Sequence, residues 1–483
     1  MRADATSISA ELFDKEITDY SIDSRSVGAG ELFFALSQKD YVRAGFNGEF
    51  ADGHQFIAGA LESGAIAAVA RADRVVGDVQ LEAMKDRLVL VDDAIAALQL
   101  LAHEVYLAWG GKVVAITGSA GKTTAKELTA HVLKTSGRRV LKSERNYNNG
   151  LGLPLSVLRM VSQGSLPADF DLAVLEMGMS SPTHEIQRLV KITPPDVGVE
   201  LMVAPVHLEY LGTIENIAAA KAELVEGLKP DGTAILNADD ALVMKMREKH
   251  SGRILTFGID NQADVMATEI DTMALGRITF RLRTPNGEVK AMLPMSGRHN
   301  LSNALAAAAV GTSFNMSAGE IAAALKTAKP PKMRGEVLDF AAGFTVIDDS
   351  YNSNPKSLLN MVRTMVDGGS GRKRLFVIAG EMLELGPDEA ELHRQAGADI
   401  AAAGVNILWG IRGLGKEIVA GANTAGLETT KFFDSSQAAA LEIIAEAREG
   451  DLILIKGSRG VATDKLVSAL KERFPLMGDD ERS

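Results

Sequence analysis

The stretch VVAITGSAGKTTAKELTAHVL, residues 113–133, decides the reading of the fold. Its β-branched, apolar opening reads as a buried strand. Gly118, Ser119, Ala120 and Gly121 then make a turn, and Lys122 opens a helical pattern that runs to about Thr135. A strand that passes through a glycine-rich turn into a helix presents backbone N–H groups and the positive end of the helix dipole to an anion. Lys122 can reach the outer phosphates of a nucleotide, and the hydroxyl of Thr123, followed by Thr124, can ligate magnesium. The common Walker pattern would place a glycine where Ile116 stands. An ordinary strand-to-helix turn shares part of this pattern, whereas the strand before it and the helix after it favour nucleotide binding.

On either side of this turn the same alternation continues. The segments LAVLEMG, DVGVELMVA and TAILNADD are further strands separated by helical or loop stretches, which implies parallel βαβ units. Between about 263 and 295 the pattern changes to ADVMATEID, GRITFRLRT and EVKAMLPM, with PNG as a hairpin turn, so an antiparallel appendage is expected to close this unit. A helix over NLSNALAAAAVGTSF follows, and another starts at Ser317 with Glu320 at capping-box spacing. KTAKPPKMRGE then breaks the regular structure. Beyond it FTVIDDS, RLFVIAG, NILWG, TKFFD and LILIKG alternate with Ala-rich helices, as in an open doubly wound sheet. Before residue 110, short strands (ELFFAL, AIAAVA, RLVLVDD) mix with helices. The expectation is an α/β protein of three domains: a small N-terminal α/β domain over 1–110, a central P-loop ATPase-like domain with a mostly parallel sheet over 111–330, and a C-terminal Rossmann-like domain over 331–483.

The 483-residue length agrees with about three domains at the usual size of ~150 residues each. The apolar region AIAALQLLAHEVYLAWG is broken by Gln99, His103 and Glu104 before it reaches the ~20 apolar residues of a membrane span, so it reads as an amphipathic helix. The first 20 residues are acidic and polar and lack an export signal, which points to the cytoplasm. No cysteine is present, so a metal would be a hard ion held by oxygen ligands with histidine as a further option. The net charge of −12 argues against a general nucleic-acid binder.

Phosphate chemistry needs further groups to manage metal and charge. Glu176 ends the strand LAVLEMG, from which a carboxylate would project at the same sheet edge as the phosphate loop, and is a magnesium-ligand candidate. His207 and Glu209 follow another strand; a histidine beside a second metal is one reading there, but a lone loop histidine is more often structural, so taken singly the structural reading wins. Lys221 stands on a helix where most lysines are simply solvated, and its spacing does not mark it out. Asp348 and Asp349 in VIDDSYNSNP make either a ligand loop or a turn, and Arg334 could meet phosphate charge.

With TGSAGKTT, LEMGM, HLEYLGTIENIAAAKAEL, GRHNLSNALAAAAV, MRGE and DDSYNSNP in this order, the chain resembles the Mur ligases. These ATP-dependent amide-forming enzymes build the peptidoglycan precursor, and folylpolyglutamate synthetase is a relative. The short loop is this family's form of the phosphate loop. DSRSVGAGELFFAL, DGHQFIAGAL, NYNNGLGLPLSVL and GEMLELG most resemble the members that add D-Ala-D-Ala to UDP-MurNAc-tripeptide.

The resemblance implies that the tripeptide carboxylate is activated by ATP as an acyl phosphate, which the dipeptide amine then attacks. It implies Mg²⁺ held by Thr123 and Glu176, Lys122 on the phosphates, His207 on a second ion, and Lys221 carried as the metal-ligating N6-carboxylysine. Asn300 and Asn303 would lie near adenine, Arg334 near the phosphates, Asp349 near the ribose, and Tyr351 and Asn352 in the same loop. Because Arg334 and Asp349 come from the C-terminal domain, ATP would lie between domains and favour their closure. Ser24, Arg25 and the Asp52–Gly53–His54 segment would serve the UDP-sugar, and Asn146, Asn148 and Asn149 the substrate tunnel. The dipeptide would bind on the C-terminal side, and the protein would act as a monomer. One departure is the insert SQKDYVRAGFNGEFA, residues 37–51, where relatives have a short link. The alternatives are another amino-acid ligase of the family or a P-loop switch that does not ligate. A guanine switch would want an Asn-Lys-x-Asp segment, which is absent.

Overall fold

The structure is a computed structural model and describes residues 12, 15–46, 48–144, 146–179, 184–205, 211–271 and 274–477. Strands among these residues form three sheets. The first contains β1 (Tyr20–Ser21), β2 (Leu32–Phe34), β3 (Ala67–Arg71) and β4 (Leu88–Val91), parallel and in chain order. β3 is buried throughout, as a parallel strand covered on both faces must be.

The second sheet comprises β5 (Lys112–Thr117), β6 (Val140–Lys142), β7 (Leu172–Glu176), β8 (Val197–Glu200), β9 (Thr233–Asn237), β10 (Arg253–Gly258), β11 (Val265–Asp271), β12 (Ile278–Thr284) and β13 (Gly287–Leu293). Its spatial order is β13-β12-β11-β10-β9-β8-β5-β7-β6. β11 joins β10 in parallel and β12 and β13 add on antiparallel, so the expected hairpin appendage is present, with Thr284 opposite Gly287 across the turn. The chain runs outward from β5 in two directions, through β7 and β6 on one side and β8 to β13 on the other. That reversal opens a crevice beyond the carboxyl end of β5, where ligands of open α/β sheets bind. The residues in the crevice are Gly118 to Gly121.

The helix Ala94–Trp109 begins where Asp93 accepts a hydrogen bond from the Ala96 N–H and ends at Gly110 in a left-handed conformation. Gln99 and His103, which break its apolar run, and Tyr106 bond to residues of the second sheet's layer. Gln99 donates to the Gly150 carbonyl (2.9 Å), His103 contacts the Ile192 carbonyl (2.9 Å) and Tyr106 donates to Pro194 (3.1 Å). Apolar residues from β2, β3, β5, β7 and this helix pack in one continuous cluster. Each fully buried Val, Leu or Ile in it stabilises by roughly 1.5–3 kcal/mol, so the first and second sheets are fastened over a broad apolar surface. Residues 37–44 of the insert join the same layer. Ser37 caps a helix over Gln38–Arg43, and Asp40, fully buried, pairs with Arg71 and accepts the Ala94 N–H. Among the described residues no helix is long and apolar enough to cross a membrane.

The third sheet contains β14 (Glu336–Asp339), β15 (Thr345–Asp349), β16 (Arg374–Gly380), β17 (Ile407–Ile411), β18 (Thr430–Phe433) and β19 (Asp451–Lys456), in the order β14-β15-β19-β16-β17-β18. All pairings are parallel except the edge hairpin of β14 with β15. The architecture is the three-domain α/β arrangement expected. The capping box at Ser317 and Glu320 is also present, with bonds of 3.2 and 2.8 Å.

Candidate active site

β5 stays buried through Ile116 and Thr117, so the strand occupies the position where a longer phosphate loop would already have turned. The four-residue loop is held from beside β8. Ser119 N–H donates to the Met202 carbonyl (2.8 Å), while the Ser119 hydroxyl donates to the Ala204 carbonyl (3.1 Å) and accepts from the Ala204 N–H (2.9 Å). Gly121 caps the Lys122–Thr135 helix at φ 84°, and a Cβ there would lie 2.4 Å from Asn303 Oδ1. The left-handed turn and the close approach of Asn303 both require glycine. Lys122 Nζ donates back to the Gly118 carbonyl at 2.9 Å. Burial pushes the Lys122 pKa down, opposed by Glu176 and assisted by the nearby positive charge of Arg334.

Glu176, 2% exposed at the end of β7, joins two predicted groups of site residues. Thr123 Oγ1 donates to its Oε2 (2.9 Å) and Asn148 Nδ2 to its Oε1 (2.8 Å). Its own N–H donates to Ser143 Oγ at 3.0 Å. Both side-chain donors are neutral, so these two bonds orient the carboxylate, and the Lys122 ammonium is a cation close enough to feel its charge. Asn149 Oδ1 accepts the Gly152 N–H (2.9 Å), which fixes the asparagine loop at the start of the next helix.

Lys221 is not the solvated helix lysine its spacing suggests: the helix Ile214–Glu226 turns it inward, where it is 2% exposed. Desolvation, then repulsion from Lys122, pushes its pKa down to about 7. Beside it, Glu200 ends β8 with no exposed surface, and among the described residues neither carboxylate oxygen has a hydrogen-bond partner. Burial drives Glu200 well above the usual carboxylate range.

A cavity of about 730 Å³ opens over the loop. Ser119, Ala120, Gly121, Lys122, Thr123, Thr124, Asn146, Asn148, Asn149, Glu176, Asn300, Asn303, Arg334 and Asp349 all reach it, so residues from the second and third sheets share one wall. Asn300 is buried and donates to the Ser296 carbonyl (2.8 Å). Asp349 Oδ2 accepts from Lys456 Nζ (2.6 Å), which also donates to the Asn352 carbonyl (2.8 Å). His299 reaches the same wall, and burial depresses its pKa, opposed by Asp349 and assisted by the positive charge of Lys456.

The sequence reading missed Glu200, His299 and Lys456. Glu200 and Lys456 each end a strand at a ligand-facing sheet edge, a signal identical to that used for Glu176, and Lys456 stands opposite Asp349 in the register. His207 and Glu209 lie outside the described residues. Gly118, Lys221, Ser24 and Arg25 are not among the residues that line the cavity; Arg25 is paired with Asp23 at 2.8 Å. In the Asp52–Gly53–His54 segment the side chains bond internally. Asp52 holds His54 Nδ1 and Arg74 at 2.6 Å each, and His54 Nε2 accepts the Arg71 N–H at 2.9 Å.

A phosphate loop at the reversal point of one parallel sheet, facing a second sheet across a shared cavity, defines a nucleotide-using α/β enzyme. The family model of the Mur ligase middle domain matches residues 116–311, and that of the Mur ligase glutamate ligase domain matches residues 333–459. The chain belongs to the Mur ligase family. It is 33% identical to the UDP-N-acetylmuramoyl-tripeptide–D-alanyl-D-alanine ligase of Bacillus subtilis, over 93% of this chain and 92% of that protein. Among solved structures it is similar to MurF from Acinetobacter baumannii, with a TM-score of 0.80 and 28% identity over 94% of this chain and 93% of that one. MurF from Thermotoga maritima in complex with ADP gives a TM-score of 0.78 and 26% identity over 95% of this chain and 98% of that one.

Proposed function

We propose that this protein joins D-alanyl-D-alanine to UDP-MurNAc-tripeptide in an ATP-dependent reaction, giving UDP-MurNAc-pentapeptide, ADP and phosphate in peptidoglycan precursor synthesis. The observation that supports this most strongly is the Thr123–Glu176–Asn148 chain opening onto the cavity that Arg334 and Asp349 close from the other sheet. The tripeptide carboxylate and the triphosphate are both anions, so bringing them together requires fixed positive charge and N–H donors aimed at the transferring group. Lys122, the loop N–H groups and Arg334 supply these. Once the acyl phosphate forms, the dipeptide amine attacks its carbonyl and phosphate leaves. Water must be kept out during this interval, and enclosure by two sheets serves that end.

Thr123 and Glu176 suit Mg²⁺, which keeps several waters and takes few protein oxygens beside substrate phosphates. A buried carboxylate hydrogen-bonded by neutral donors suits such an ion, which would supply charge neutralisation at the phosphates. His207 is the proposed ligand of a second ion. Lys221 suits N6-carboxylysine: its depressed pKa leaves much of the amine neutral and nucleophilic toward CO₂, and the raised pKa of Glu200 lets a carbamate sit beside a neutral carboxyl. Asn300 and Asn303 would hold the adenine end and Asp349 the ribose. Residues 1–110, with Ser24 and Arg25, would take the UDP-sugar, 111–330 the ATP, and 331–483 the dipeptide and part of the ATP. Asn146, Asn148 and Asn149 would line the path between them. The protein would act as a cytoplasmic monomer.

The test is ATP-dependent phosphate release with Mg²⁺ and UDP-MurNAc-tripeptide, comparing D-Ala-D-Ala with single amino acids and identifying the product by mass. Pentapeptide formed only with the dipeptide is expected. Ligation of a single amino acid would assign another member of the family, and nucleotide hydrolysis without ligation would favour a switch.

A further inference from the structure

Arg334 differs from the other enclosed arginines. Arg71 and Arg374 are each saturated by carboxylates, Arg71 by Asp40 and Asp73 and Arg374 by Asp451 and Glu446. Among the described residues the Arg334 guanidinium makes no hydrogen bond or ion pair, and instead lies over the Tyr351 ring, 4.0 Å from its centroid. The register of β14 with β15 places the two side by side. Glu336 stands opposite Asp348, so the chain entering β14 and the chain leaving β15 emerge together from the open end of the hairpin. Two backbone bonds clip them there: Gly335 N–H to Asp348 O (2.9 Å) and Tyr351 N–H to Met333 O (3.2 Å). Met333 adopts φ 63°, a conformation unfavourable for a residue with a side chain, and it turns the chain into Arg334.

We propose that Tyr351 is a positioning residue: its ring aims the Arg334 guanidinium at the phosphate end of the cavity without neutralising it. A carboxylate partner would orient the guanidinium equally well but would cancel the charge and occupy the N–H groups that a triphosphate needs. An aromatic face holds a planar cation by its quadrupole and leaves the in-plane N–H groups free. Both residues line the cavity above Lys122. The inference rests on the proposed ATP site, and it deepens it by assigning how the third sheet presents its cation.

The experiment measures binding of a non-hydrolysable ATP analogue and of AMP to the full chain by calorimetry, for Tyr351→Leu, Tyr351→Phe, Arg334→Lys, Arg334→Ala and the Arg334→Ala/Tyr351→Leu and Arg334→Lys/Tyr351→Leu double variants. Tyr351→Leu should weaken triphosphate binding about tenfold with AMP unchanged, and Tyr351→Phe should bind as the parent does. An Arg334→Lys/Tyr351→Leu double variant should bind close to Arg334→Lys alone, since a compact ammonium has no planar fork for the ring to orient. The Arg334→Ala/Tyr351→Leu variant should match Arg334→Ala within about twofold, since the ring acts only through the arginine. Equal losses for AMP and triphosphate, losses that multiply in either double variant, or parental affinity in a folded Tyr351→Leu protein would each overturn the proposal. If Tyr351→Leu does not fold, comparing Tyr351→Phe with Tyr351→His still tests the ring. Because binding is read directly, an enzyme that proved to ligate something other than the dipeptide would leave this test intact.

Discussion

Replacing Gly121 with alanine isolates the close approach that shapes the phosphate loop. Gly121 and Gly137 share φ 84°, but a Cβ on Gly137 meets no atom within 4 Å, whereas one on Gly121 would lie 2.4 Å from Asn303 Oδ1. An L-residue in this conformation costs about 1–2 kcal/mol, partly offset by the reduced entropy of the unfolded chain. Gly137→Ala should therefore lose about 1 kcal/mol of stability and bind ATP normally. Gly121→Ala carries the same backbone cost plus the displacement of Asn303, about 1–3 kcal/mol more for an overpacked contact. If the loop keeps its shape, the whole loss of about 2–4 kcal/mol falls on stability; if it relaxes, it falls on ATP affinity, by roughly 30-fold to several-hundred-fold. Urea melts and ATP titration together recover the sum. Adding Asn303→Ala to Gly121→Ala should remove the steric part and leave a stability cost like that of Gly137→Ala. A Gly121→Ala protein as stable as Gly137→Ala and binding ATP at parental affinity would refute the reasoning.

Three other outcomes are expected. Lys221→Ala should abolish ligation and regain part of it with added short-chain carboxylate, read by pentapeptide formation; full activity without rescue would remove Lys221 from the site. With the folded Lys221 at about 7 and its ordinary value at 10.5, the unfolded chain holds more protons between them. Its contribution therefore makes stability rise with pH across that window and fall as pH drops toward about 7, and urea melts of Lys221→Met should show a flatter slope there. Asp40→Ala leaves Arg71 its Asp73 partner but removes one buried carboxylate and the acceptor of the Ala94 N–H, and should cost about 1–3 kcal/mol in a urea melt, whereas a loss under about 0.5 kcal/mol would mean the pair behaves like an exposed one.

Much of the site was legible because it is local. The phosphate loop announces itself through a strand, small residues and a helix start within a few positions, and Glu176 through its place at a strand end. Lys221 was legible only by resemblance, because helical spacing does not reveal that its face turns inward against Glu200. The pairing of Asp349 with Lys456, 107 residues apart, depends on β19 inserting between β15 and β16. The commitment of Asp52 and His54 to internal bonds depends likewise on β3 bringing Arg71 alongside them.

The sequence by itself determined the elements, the three-domain α/β class and the groups able to handle a triphosphate, since strand pattern, turn chemistry and helix capping act between near neighbours. Tertiary structure decided which charges are left uncancelled. Strand order and hairpin register set Arg334 against a ring rather than a carboxylate, and Lys221 beside Lys122 in a desolvated pocket. Electrostatic energy depends on burial and on distances of a few ångströms between residues far apart in the chain, and only the folded packing determines either.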